Sequence, residues 1–232
     1  HNGIPRVLLA AGHMADVLAD YLATRPPDGL DITLSREPEP LGTGGALKFV
    51  EPRLNSDPVL VLNGDSLVPH LEFSTLWKTS FHTVENYPEE CPRDGKLSAA
   101  FSTLWKTSFH GVENRAGFFH AMEKHCPHHG KLFVTPIAEA SRFGTVEFDE
   151  DGVVTAFREK AERACGFVNA GAYLLTRDII STIAARTVVS LETEVFPALV
   201  RNRRLLALPC PPPLLDMGTP AGLDTMERFL RG

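Results

Sequence analysis

No apolar run in this sequence reaches the roughly 18 residues that a membrane-spanning helix needs, so no such span is expected. Basic residues are in the minority, 23 Lys and Arg against 29 Asp and Glu, for a formal net charge of -6. A broad nucleic-acid-binding face needs clustered cations to displace counterions, and this balance argues against one. Cysteine is scarce. Cys91, Cys126, Cys165 and Cys210 are scattered without a C-x-x-C pair. They read as free thiols in a reducing compartment, and cytoplasm is the expected location. The chain opens His-Asn-Gly-Ile-Pro, which is no signal peptide. It does not begin with Met, and the loss of an upstream piece is expected. A Gly-x-Ser-x-Gly elbow, a Gly-Lys-Ser/Thr phosphate loop and a complete Gly-x-Gly-x-x-Gly fingerprint are all missing.

What remains is an ordinary globular composition. Of 232 residues, 43% are hydrophobic and 22% charged, enough for a sizeable core. Short apolar runs alternate with helical spacing. Arg6 to Ala11, Leu30 to Leu34 and Pro58 to Leu62 read as strands, and Met14 to Leu22 as a helix. Residues 36–45 read as a loop by their Pro and Gly content, with a helix opening at Ala46. Strands alternating with helices imply an α/β fold with right-handed crossovers. Further on, Lys131 to Ile137 and Phe167 to Leu175 read as strands. Thr145 to Phe148 and Val153 to Phe157 flank a hairpin turn at Asp149 to Gly152. Asp178 to Ala185 and Leu191 to Val200 read as helices. Leu205 to Leu208 and Leu214 to Leu215 read as short strands, separated by the Cys-Pro-Pro-Pro turn at 210–213. Thr219 with Pro220 behind it is a helix-start signal. No linker divides the chain, so residues 1–232 read as one domain.

The middle breaks the pattern. Phe73 to His82 recurs unchanged at Phe101 to His110, and Val-Glu-Asn follows both copies. True structural repeats drift in sequence. The expectation is a duplicated or inserted segment at about 73–130, with one copy forming a helix and the other tolerated at the surface.

Candidate chemistry sits at strand ends. Asp65, in Asn-Gly-Asp-Ser, and Asp216, in Leu-Asp-Met-Gly-Thr-Pro, each follow an apolar strand. Open α/β sheets bind ligands there, and two carboxylates could share one Mg²⁺. Either aspartate could instead cap its own turn. Gly42-Thr43-Gly44-Gly45 could cradle a phosphate or let a flat base lie against the backbone, or could be a simple turn. Leu47 stands where a dinucleotide fingerprint would have its third glycine. Glu159-Lys160 could hold a phosphate and a hydroxyl, or form a solvated ion pair. Asn169 interrupts an apolar strand and needs a partner, either a core hydrogen bond or a ligand hydroxyl. Glu192 follows Ser190 at a helix start, a position that also suits capping. His120, His125, Cys126, His128 and His129 are dense but fit no closed zinc template.

Seven motifs occur in order. They are Glu-Pro-Leu-Gly-Thr-Gly-Gly-Ala-Leu at 39–47, Leu-Asn-Gly-Asp-Ser at 62–66, Arg-Phe-Gly-Thr-Val at 142–146 and Phe-Arg-Glu-Lys at 157–160. Phe-Val-Asn-Ala-Gly-Ala-Tyr at 167–173, Ser-Leu-Glu-Thr-Glu at 190–194 and Asp-Met-Gly-Thr-Pro at 216–220 complete them. This series resembles the sugar-1-phosphate nucleotidyltransferases, above all bacterial heptose- and mannose-1-phosphate guanylyltransferases. The likeness spans nearly the whole chain outside about 73–130.

The resemblance implies a Rossmann-like, mixed and mostly parallel sheet with helices on both faces. It implies a reaction in which a sugar-1-phosphate oxygen attacks the α-phosphate of an NTP, yielding a nucleotide sugar and pyrophosphate. Asp65 and Asp216 would hold the Mg²⁺, and Gly42, Thr43, Gly44 and Gly45 would lie against the nucleobase. Gly144, Glu159, Asn169 and Glu192 would meet the sugar, and Lys160 its phosphate. Asp65, Lys160 and Asp216 would form the catalytic set. The guanylyltransferase likeness points to GTP. The residues themselves leave base, sugar and oligomeric state open, a homo-oligomer included.

The resemblance departs at the start. Such enzymes open with a strand and a Gly-x-Gly-Thr-x-Arg loop around the triphosphate, and neither occurs here. The first βα unit, roughly 40 residues by the length of a βαβ motif, is expected to be missing. The expectation is therefore transfer activity that is impaired, or completed by another chain. A non-catalytic sugar-phosphate-binding module is the competing reading, and a Rossmann-type oxidoreductase a third.

Overall fold

The computed structural model describes residues 4, 6–69, 130–138, 144–158 and 165–232. The 73–130 repeat lies outside these but for Gly130, and so does the His120–His129 cluster. Two compact units emerge, residues 1–59 with 176–198, and residues 60–175 with 199–232.

The first unit begins with strand β1 (Arg6–Ala11), helix α1 (Ala15–Thr24) and strand β2 (Asp31–Arg36). β1 and β2 pair in parallel, from Arg6 opposite Asp31 to Ala11 opposite Arg36. Parallel neighbours cannot be joined by a tight turn, and α1 is the crossover. The Arg25-Pro26-Pro27 sequence ends α1, since proline can neither donate nor continue the helix. Helix α2 (Gly42–Val50) follows, and buries Leu47 and Val50. It starts at Gly42, not at Ala46, so the glycine-rich stretch is its first turn and not a preceding loop. Helix α3 (Arg177–Ser181) is capped by Thr176 and buries Ile179 and Ile180. It stops earlier than the expected Ala185, because the last turn tightens into bonds from Thr182 to Ile179 and from Ile183 to Ile180. A π-turn at Leu191–Val195 and helix α4 (Phe196–Arg201) replace the single helix expected there.

The second unit is built on a six-stranded sheet in the order β7-β6-β8-β5-β9, with β3 also paired to β8. Its strands are β3 (Val59–Leu62), β5 (Gly130–Ile137), β6 (Thr145–Phe148), β7 (Val154–Arg158), β8 (Gly166–Leu175) and β9 (Leu205–Pro209). β5 runs antiparallel to β8 and parallel to β9, so the sheet is mixed, as an α/β fold of this kind requires. Leu132, Phe133, Val134, Tyr173, Leu174 and Leu205 are at most 1% exposed and form its centre. Strands buried on both faces read as continuous apolar runs, which is why they were visible in the sequence. The hairpin β6–β7 turns at Asp149, whose Oδ1 accepts the N–H groups of Asp151 and Val153 at 3.1 and 2.9 Å.

A separate two-stranded ribbon joins β4 (Ser66–Leu67) to β10 (Leu215–Asp216) antiparallel. Helix α5 (Pro220–Arg231) closes the unit, with the Thr219 hydroxyl accepting the Gly222 N–H at 3.0 Å. Cys210 is free and buried, but Cys165 is disulfide-bonded, so the expectation of four free thiols fails at that residue. Among the described residues no helix is long and apolar enough to cross a membrane.

Candidate functional site

Two clusters carry the residues singled out from the sequence, one in each unit. In the first, the glycines of α2 are needed for contact. Gly42 has a φ of +73°, and a Cβ there would sit 2.6 Å from the Val189 carbonyl oxygen. A Cβ on Gly45 would sit 2.6 Å from the Thr187 carbonyl oxygen. No side chain fits such distances, so glycine lets the 187–191 segment close onto the helix start. The Gly44 and Gly45 N–H groups both donate to the Val189 carbonyl, at 2.8 and 3.2 Å. These N–H groups thus meet protein backbone.

Thr43 stands exposed between those glycines. Its hydroxyl accepts the Leu191 N–H at 2.8 Å and donates to Glu192 Oε2 at 2.7 Å. The same Oε2 accepts the Ser190 hydroxyl at 3.0 Å. Ser190 also caps the π-turn, its Oγ accepting the Thr193 N–H while Glu194 returns to the Ser190 N–H. Thus Gly42–Gly45 and Glu192, separate motifs in the sequence, are joined in one cluster.

In the second unit the ribbon brings the two aspartates together. Asp216 pairs with Ser66, and Met217 donates its N–H to the Asp65 carbonyl at 2.9 Å. Asp65 is exposed and Asp216 half-buried. Asp216 Oδ1 accepts the Gly218 N–H at 3.0 Å, and Ser66 donates to Asp65 Oδ1 at 3.2 Å. Each carboxylate keeps its Oδ2 without a hydrogen bond among the described residues. Hard oxygen donors on neighbouring strand ends suit a small divalent cation. Among the described residues no larger group of His, Cys, Asp or Glu is placed to hold a metal.

Asn169 lies in β8, where its Oδ1 accepts the Gly171 N–H at 2.9 Å and its Nδ2 donates to Tyr173 Oη at 3.0 Å. Both bonds stay within its own strand. They brace a bulge, because Leu132 and Val134 of β5 face Tyr173 and Asn169 across an expanded register. Gly171 sits in that bulge at a φ of +70°, with Ser66 and Asn63 against its open side. Gly144 is exposed, and a Cβ there would meet the Arg158 carbonyl oxygen at 2.9 Å. Glu159 and Lys160 lie outside the described residues.

Sequence reasoning missed Ser66 and Gly222. A Cβ on Gly222 would overlap the Asp216 carbonyl oxygen, so this glycine lets α5 start directly on the aspartate strand. A glycine two residues into a helix was the available signal.

The family model for nucleotidyl transferases matches residues 112–228. This chain belongs to the nucleotidyl transferase family. A mannose-1-phosphate guanylyltransferase catalytic subunit beta from Xenopus tropicalis is 27% identical over 226 residues, which cover 94% of this chain and 49% of that protein. A probable mannose-1-phosphate guanylyltransferase 3 from Oryza sativa subsp. japonica is 29% identical over 235 residues, 98% of this chain and 52% of that protein. This nucleotidyl transferase chain thus spans about half the length of the curated relatives it matches. Its fold is similar to HddC from Yersinia pseudotuberculosis, with a TM-score of 0.66 at 20% identity, covering 98% of this chain and 80% of that one. HddC has also been solved in complex with GMP-PN.

Proposed function

We propose that this nucleotidyl transferase joins a nucleoside triphosphate to a sugar 1-phosphate, forming a nucleotide sugar and releasing pyrophosphate. The observation that carries the reading is that the β4–β10 ribbon sets Asp216 across from Ser66, the residue next to Asp65, while the Met217 N–H bonds the Asp65 carbonyl. Two carboxylates on neighbouring strand ends, in a chain of this family, are what a Mg²⁺-dependent phosphoryl transfer calls for. When bound, the ion would neutralise charge on the phosphates. The protein's own task is then to orient anions and exclude alternatives. Asp65 and Asp216 supply the oxygen ligands. Lys160 meets the sugar's phosphate, while Gly144, Glu159, Asn169 and Glu192 contact its hydroxyls. Gly42, Thr43, Gly44 and Gly45 border the nucleobase through whatever edge the Val189 segment leaves open. No protein nucleophile is required.

GTP is the proposed triphosphate and mannose 1-phosphate or a heptose 1-phosphate the proposed acceptor; the names of the relatives above support GTP and mannose 1-phosphate, and the heptose rests on the motif likeness. The reading takes residues 1–232 as one nucleotidyltransferase-like domain acting in the cytoplasm.

The test is pyrophosphate release from GTP and mannose 1-phosphate with and without Mg²⁺, alongside other triphosphates and sugar phosphates. Mg²⁺-dependent release supports the reading. Binding of mannose 1-phosphate without turnover under every pairing would instead identify a non-catalytic sugar-phosphate-binding module.

A further inference from the structure

We propose that Thr43 is a positioning residue. It sets the carboxylate of Glu192, and through it the recognition of the sugar phosphate. The inference rests on the reading that Glu192 contacts the sugar.

A glutamate side chain has three rotatable bonds, so a half-buried one presents no fixed acceptor unless it is held. Oε2 accepts two hydroxyls, Thr43 at 2.7 Å and Ser190 at 3.0 Å. Ser190 is a near neighbour on the same turn and moves with it. Thr43 comes from 149 residues earlier in the chain and is therefore an external reference.

Its hydroxyl is also directed. The Leu191 N–H occupies the oxygen as an acceptor at 2.8 Å. The single hydroxyl proton is then left for Glu192, and the β-branched side chain has few rotamers to lose. The flanking glycines make this approach possible, since any Cβ at Gly42 or Gly45 would push the 187–191 segment away. Four residues that read as a base-binding loop thus also act as a mount for a carboxylate. A carboxylate with a fixed rotamer is a directional acceptor for vicinal hydroxyls, which is the chemistry of a sugar. Thr43 is exposed, so its bond adds little to global stability and its effect belongs to the site.

The experiment is a double-mutant cycle with Thr43→Val, Thr43→Ser, Glu192→Gln and Thr43→Val/Glu192→Gln, using mannose 1-phosphate and GTP as probes. The expected result is that Thr43→Val raises KM for mannose 1-phosphate by about 10-fold, the scale of one charge-assisted hydrogen bond. KM for GTP, whose nucleobase Thr43 also borders, is measured alongside and rises less than KM for mannose 1-phosphate. Thr43→Ser retains wild-type behaviour. In the Glu192→Gln background the valine adds no further rise in KM, because the two residues act as one. An equal rise in both backgrounds, or a serine variant as impaired as the valine, overturns the proposal. A second readout needs no substrate. Side-chain order at Glu192 Cγ, from ¹³C relaxation, falls in Thr43→Val and is kept in Thr43→Ser; unchanged order in the valine variant overturns the positioning role. A wild-type chain that neither binds nor converts mannose 1-phosphate overturns the sugar reading, while the relaxation result still decides whether Thr43 holds Glu192.

Discussion

Met217 donates its backbone N–H to the carbonyl of Asp65 at 2.9 Å, and this bond sets the next residue back, Asp216, across from Ser66. Residues about 150 positions apart in the chain are thereby fixed as neighbours by main chain alone. Their side chains remain available for a ligand. Asp65→Asn and Asp216→Asn should therefore leave the ribbon intact. On the proposed reading each removes one negative ligand of a Mg²⁺ site, worth on the order of 3 kcal/mol in the transition state, or about 100-fold in kcat. The check is Mg²⁺-dependent pyrophosphate release beside a thermal melt. A variant that keeps wild-type metal dependence removes its aspartate from the site.

Gly171 supports the same ribbon from β8. Its φ of +70° is open to glycine, and a Cβ there would press on Ser66 Cβ at 3.0 Å. Gly171→Ala should cost roughly 1–3 kcal/mol, as strain at a positive-φ site does. Urea unfolding measures it. A variant as stable as wild type would show that the bulge relaxes freely.

Asn169 separates a bracing role from a binding one. Tyr173 is fully buried, and its hydroxyl is the acceptor for Asn169 Nδ2. Tyr173→Phe removes that acceptor and leaves a half-buried donor, a loss of about 1 kcal/mol. If Asn169 only braces the bulge, the phenylalanine variant loses stability with an unchanged KM for the sugar phosphate. A raised KM at unchanged stability would instead support a ligand role for the amide.

Much of this was legible in the chain. β5, β8 and β9 announced themselves as apolar runs because both faces are covered, and the Thr219-Pro220 signal marked the start of α5 where it occurs. The motif series named Asp65, Asp216, Thr43 and Glu192 without their partners. The start of α2 was missed because glycine weighs against a helix in any local reading. What overrides that preference is the Val189 carbonyl, more than 140 residues away, which fits only against a bare Cα. The pairing of Thr43 with Glu192 was hidden for the same reason: a side-chain hydrogen bond across 149 residues leaves no periodic trace.

Gly222 tests helix propensity against packing. In an isolated helix, replacing this glycine with alanine would stabilise by about 1 kcal/mol. Here the new methyl would overlap the Asp216 carbonyl oxygen, and backbone on either side must move. Packing wins the comparison, because displacing two backbone segments costs more than a residue's propensity returns. Gly222→Ala should destabilise by roughly 1–3 kcal/mol in urea unfolding. It should also weaken Mg²⁺ dependence by shifting Asp216. A stabilised variant would mean that α5 starts further from the ribbon than described.

Cys210 predicts an alkaline limit. Its thiol is buried just past the end of β9, donates to the Val134 carbonyl at 3.3 Å, and is pushed up to about 12 by burial, with the neighbouring Thr135 hydroxyl working the other way. In the unfolded chain the same thiol titrates near its ordinary value of 9.0. Below that value the group is neutral in both states and the stability is fully present. As pH rises from about 9 towards 12 the unfolded chain loses this proton first, which favours unfolding. Linkage bounds the slope at one proton, about 1.4 kcal/mol per pH unit. Stability measured by urea unfolding should fall across pH 9 to 11, and Cys210→Ala should flatten the part of that fall owed to this thiol. The native thiol should also resist alkylation at pH 8 and react once urea exposes it. Rapid alkylation of Cys210 in the folded chain would show that the sheet opens there without global unfolding.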